Sequence, residues 1–275
     1  MSKLSSYASL FVEGATTSTK AGANLCTVAF ITLILSSIIC GIFNPSTSSL
    51  ISCALTYSNE CFESAFTKIK NMTPVYVIGS FFYALAAFCF ISVGNCLENV
   101  FHNTVMARVM NGTIRLSCIM IIFESCYTAG TLVQARSFIT GWAVQGYYPY
   151  IGASIAFMQN CSSLIWTLDT ILLVYFLVLL SFLTSDNTIF SPRYTKWARV
   201  GAISGLIYLI CVYVLGLIFV FVIIGLISYF VMVVCLIGVL GMTGWELRKM
   251  EGEIVGKKTK KHRKGKKSKQ TADKV

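Results

Sequence analysis

Charge is what this chain has least of. Asp, Glu, Lys and Arg make up 12% of its 275 residues, about half the share of an ordinary soluble domain. Hydrophobic residues reach 56% and the mean hydropathy is +0.73. A chain so short of charge reads as a membrane protein, not as one or two water-soluble domains. Histidine is scarcer still. The two present, His102 in a loop and His262 in a basic run, make no cluster for metal binding or acid–base work. The chain also has no nucleophile elbow, phosphate loop or zinc-protease helix. We therefore expect no enzyme activity, cofactor or metal. No secretory leader of the usual kind is expected, because the first apolar stretch begins near residue 24 and is long enough to span. That first span is expected to act as the targeting signal. No repeat of 20 to 50 residues is visible.

What charge there is lies mostly in one place. The net charge is +11. Twelve of the 22 Lys and Arg, and four of the 11 acids, fall within residues 246–275. That leaves +8 in the tail and +3 over the other 245 residues. The run Lys257 to Lys269 is too polar to fold and is expected to be disordered. It should hold the C-terminus in the cytosol and touch anionic lipid headgroups. It lacks an aromatic platform or base-reading element, so nucleic acid is not an expected partner.

A spanning helix needs about 20 mostly apolar residues. Residues 24–43, 75–96, 114–133 and 164–184 meet that length, the second opened by Pro74. Residues 200–245 contain no charge at all and are too long for one crossing, so they read as a hairpin turning near Gly225 to Ser228. Residues 44–74 read as a loop or short interfacial helix. The segment 138–158 is uncharged but rich in Gly, Tyr, Trp and Pro, and reads as a broken span, a re-entrant loop or an interfacial piece. The fold class is therefore all-α, a polytopic bundle of six or seven spans. An N-terminal arm (1–23) precedes the transmembrane domain (24–245), and the basic tail (246–275) follows it. With a cytosolic tail, six spans put Lys20 and Arg108 inside and Lys68, Lys70 and Arg136 outside. Seven spans exchange the two groups, so counting charges leaves the number open.

Eight of the eleven cysteines lie in or beside apolar runs, where Cys packs as a small hydrophobe. Cys53 and Cys61 lie in the 44–74 segment and are a candidate disulfide if that segment faces an oxidising compartment. Three sequons, at Asn71, Asn111 and Asn160, lie close to spans and are weak signals. Charges inside a bilayer are costly and usually face the bundle interior or a wet cavity. Glu124, near mid-membrane, and Asp169 are therefore candidates for lining a substrate path, against the plainer reading of hydrogen bonds between helices. Arg115 is nine residues from Glu124, on another side of the helix, and does not pair with it. Tyr147, Tyr148 and Tyr150 are candidates for cation–π contact near such a path, against the plainer reading of an interfacial aromatic belt.

Several pieces, in order, resemble the choline transporter-like family. After the second span comes Asn99-Val100-Phe101-His102-Asn103-Thr104-Val105, similar to that family's N-V-x-H-x-T-V stretch; Asn99, Val100, His102, Thr104 and Val105 carry the match. Gly130-Thr131-Leu132 leading into Gln134 and Arg136, Tyr148-Pro149-Tyr150-Ile151 followed by Cys161, and Leu168-Asp169-Thr170 have counterparts too. The resemblance covers about residues 75–250, whereas family members are much longer, with about ten spans, and tend to have a small residue where Glu124 stands. It implies passage of a small organic cation such as choline. A chain this short would do so as a homo-oligomer, or would have lost transport. Two other readings compete: a non-transporting organiser that recruits lipid or a partner through its tail, and a seven-helix receptor, which needs seven spans. The choice between plasma membrane and endomembrane is open.

Overall fold

The computed structural model describes residues 14–42, 50, 53, 58–101, 104–142, 147–185, 190–215 and 219–272. The side chains before Lys20 and beyond Met250, and those of Trp142 and Gln159, lie outside that description. The tail, expected to be disordered, continues the last helix to Ala272, with its side chains beyond Met250 outside that description.

Six long helices make up the described chain, with no strand among the described residues: α1 (Gly14–Ile42), α2 (Asn59–Val100), α3 (Val105–Trp142), α4 (Tyr148–Ser185), α5 (Pro192–Leu209) and α6 (Phe219–Ala272). Each is long and apolar enough to cross a membrane, so the count among described residues is six. The seven-helix receptor loses its premise. Segment 138–158 is not a crossing of its own: its first residues finish α3, and α4 begins at Tyr148.

The starts and stops follow local chemistry. Ser58 caps α2 by accepting from the Cys61 N–H at 3.3 Å, Thr104 caps α3 through the Ala107 N–H at 3.2 Å, and Ser191 with Pro192 opens α5, each satisfying an orphan amide of a first turn. Pro74 was expected to open the second span, but α2 begins fifteen residues earlier and runs through it. The turn between the last two helices is also displaced. α5 ends in a π-turn, Ile210–Val214, closed by the Leu215 N–H on the Ile210 carbonyl at 3.1 Å, and α6 starts at Phe219. Gly225, expected in the turn, lies inside α6. A β-carbon built there would sit 2.7 Å from Val212 Cγ2, so this glycine serves the close approach of two helices.

Every helix packs on its chain neighbours, and α6 packs back on α1. Gly22 of α1 lets the Cys96 side chain approach, a β-carbon there meeting its Sγ at 2.6 Å. Large apolar side chains such as Phe81, Phe88, Phe182 and Phe230 are exposed on the outside of the bundle, where lipid would cover them.

Besides α6, whose 54 residues run on into the basic tail, three helices overshoot. At about 1.5 Å per residue, the 42 residues of α2 reach about 63 Å, about twice the ~30 Å hydrocarbon core. The excess of α2, α3 and α4 gathers at one end as a lobe with its own core: Leu50, Phe62, Phe66, Ile69, Tyr148 and Ile155, with Cys53 joined to Cys61 by a disulfide. A separate and larger core, including Phe90, Val93, Phe176, Leu177 and Leu180, fills the bundle.

Candidate functional site

Along the antiparallel seam of α3 and α4, two carboxyls meet two serines. Ser117 on α3 donates to Asp169 Oδ1 on α4. Seven residues further along α3, Glu124 Oε1 accepts from Ser162 on α4 at 3.4 Å. Ser162 lies seven residues before Asp169, so each helix offers one serine and one acid in the same spacing, about two turns. Thr128 adds a 2.8 Å contact to Ser162. Asp169 is 1% exposed and Glu124 is half-buried. Neither has an ion-pair partner among the described residues. Arg115, the nearest cation in sequence, gives its guanidinium to Asn95 Oδ1 at 2.5 and 3.2 Å. Its predicted failure to pair with Glu124 therefore has a visible cause.

Asn95 belongs to a second polar group toward the tail end of the bundle. Asn111 donates from Nδ2 to Asn95 Oδ1 at 3.0 Å and also to Glu98 Oε2, while its own Oδ1 is buried with no hydrogen-bond partner. At 2% exposure, Asn111 offers no acceptor surface for a glycan in the folded chain, whereas Asn71 and Asn160 are exposed.

Around the carboxyls stand aromatic rings from four helices. Trp166, one turn before Asp169 on α4, packs on Tyr229 of α6 with ring centroids 5.0 Å apart. Tyr208 of α5 packs on both, at 5.0 Å from Tyr229 and 6.2 Å from Trp166. Tyr83 of α2 and Tyr229 lie within electrostatic reach of both Asp169 and Glu124. The π-turn brings in Tyr213, whose ring meets Tyr208 at 6.2 Å and whose hydroxyl lies 2.6 Å from that of Thr167. A buried and a half-buried carboxyl without a cation, in a part of the bundle that holds an aromatic cluster, form an environment suited to a positive charge.

The tyrosines singled out in the sequence lie elsewhere. Tyr148 is buried in the lobe, edge-on to Phe66 at 5.3 Å, its hydroxyl donating to Glu63 Oε1 at 3.4 Å. Tyr147 and Tyr150 flank it and are 62% and 73% exposed. Along one helix Tyr148 is 14 residues from Ser162, which holds Glu124, and 21 from Asp169, about 21 and 32 Å, so the three do not join the carboxyls. The rings that do, Tyr83, Trp166, Tyr208 and Tyr229, were missed, because inside an apolar run a single aromatic looks like core. The family-like stretch forms the α2–α3 connection. Asn99 and Val100 end α2, Thr104 caps α3, Val105 is 79% exposed, and His102 lies outside the described residues. Among the described residues, no group of three His, Cys, Asp or Glu side chains is placed to hold a metal.

No model of a known family matches the chain, and neither the curated proteins nor the solved structures compared with it give a match.

Proposed function

We propose that this multi-pass membrane protein carries a small organic cation such as choline across its membrane. The cation would lodge between Asp169, Glu124 and the rings of Trp166, Tyr208 and Tyr229. The observation that carries this reading is the pair of mid-bundle carboxyls held by serines alone, with no Lys or Arg partner among the described residues, and a three-helix aromatic cluster whose Trp166 lies one turn from Asp169. A charge kept inside a bundle at such cost usually has a use, and a quaternary ammonium is attracted by both carboxylate and ring face. The partial resemblance to the choline transporter-like family favours the same substrate class.

Sidedness completes the proposal. The basic tail favours a cytosolic C-terminus, and six spans then return the N-terminus to the same side. The lobe falls on the other face, where a disulfide is chemically at home.

The test is uptake of labelled choline by the purified protein in liposomes, for the native chain, Asp169→Asn, Glu124→Gln and a chain lacking 257–269. Uptake by the native chain that drops at least about tenfold in Asp169→Asn supports the reading, since a lost charge-assisted contact is worth about 1.5–3 kcal/mol. No uptake by the native chain, or uptake indifferent to both carboxyl variants, overturns it. An organiser working through its tail would lose its cellular role on deletion of 257–269 and be indifferent to Glu124→Gln.

A further inference from the structure

A second place in the molecule, remote from the carboxyl seam, has the chemistry of a ligand site. Where α2 and α3 pass from the bundle into the lobe, a groove of about 620 Å³ opens between them. Its floor is apolar, made of Pro74, Val77 and Val133, and its rim carries Arg136, Ser137 and Thr140. The two rim hydroxyls spend their protons on the carbonyls of Val133 and Arg136, at 3.1 and 2.8 Å, so they do not compete as donors. Arg136 is exposed, and its guanidinium makes no hydrogen bond or ion pair with any described residue. Its guanidinium is the free donor at this rim, with a fork that fits a phosphate.

Depth decides among the anions that would fit. Val77 lies near the start of the apolar run 75–96 and Val133 at the end of 114–133, while Arg136 follows one turn later. The floor is therefore at the edge of the hydrocarbon and the guanidinium at the level of the headgroups. A free phosphate would leave the apolar floor unused, and an organic cation would be repelled by Arg136. We propose that this groove binds one phospholipid of the leaflet on the lobe side, its phosphate on Arg136 and an acyl chain along Pro74, Val77 and Val133.

Native mass spectrometry of the full chain in detergent tests this with phosphatidylglycerol as the probe and diacylglycerol and inorganic phosphate as comparators. The native chain is expected to retain one phosphatidylglycerol under activation that strips other lipids, and to shed diacylglycerol. Arg136→Gln should lower that occupancy about tenfold. Val77→Trp, which fills the floor and leaves the charge, should lower it as well. Both variants are first required to elute and to show helical content like the native chain; Arg136 is exposed, so at least that one is expected to pass. Equal retention by Arg136→Gln, equal retention of diacylglycerol, or full displacement by millimolar inorganic phosphate overturns the proposal.

Discussion

The lobe and the α3–α4 seam share two helices, yet different materials hold them. In the lobe the pair is joined by Leu132, Ala135, Tyr148 and Ile155 around Phe62 and Phe66 of α2. In the bundle the same two helices add to their apolar packing a polar seam of Ser117, Asp169, Glu124 and Ser162. The difference follows from the solvent. In water, burying an aromatic side chain is favourable by a few kcal/mol, so apolar residues do the joining. In hydrocarbon the lipid tails are as apolar as leucine, and helices associate through close packing and hydrogen bonds instead. One continuous helix therefore changes its means of association where it leaves the membrane.

That contrast can be broken at either end. Phe62→Ala should have the largest effect, about 3–5 kcal/mol, because the ring packs on Phe66, on Tyr148 and into the space over Gly152. Hydrogen exchange should show the lobe opening while amides near Ser117 and Asp169 stay protected; equal loss in both places would mean that the lobe and bundle are one unit. Cys53→Ser comes next. The disulfide spans a sequence separation of 8, and its removal should destabilise the lobe by about 2–3 kcal/mol. Limited proteolysis with and without reductant reads this, and identical cleavage rates would sink it. Smallest is Ser117→Ala, about 1 kcal/mol, since hydrogen bonds between membrane helices are individually modest. A denaturation series in mixed micelles is the measurement, and a loss above about 3 kcal/mol would show that the seam, not the surrounding packing, holds the bundle.

The sequence shows the number of crossings within one and each apolar centre, because hydrocarbon demands an apolar run. It hides the helix ends: beyond the hydrocarbon a helix continues in water on propensity and lobe packing, which average hydropathy does not see. Glu124 and Asp169 stand out as charges among apolar residues. Their partners do not, since serine is common in membrane helices. The one available signal was the matched spacing of Ser117 to Glu124 and Ser162 to Asp169. Gly225 misled because glycine marks both turns and close helix contacts, and only the packed structure shows Val212 against it.

The π-turn at Ile210–Val214 carries a consequence for sequence change. In an α-helix Tyr208 and Tyr213 would point about 140° apart, yet their rings touch. The wide turn works as a single inserted residue absorbed without breaking the helix. Deleting one residue between 209 and 212 would restore regular winding with Tyr213 four residues after Tyr208, about 40° away, and so would leave the two rings on one face. The extra residue and the wide turn thus cancel, and only regular winding over the native residue count would carry that tyrosine away from the aromatic cluster.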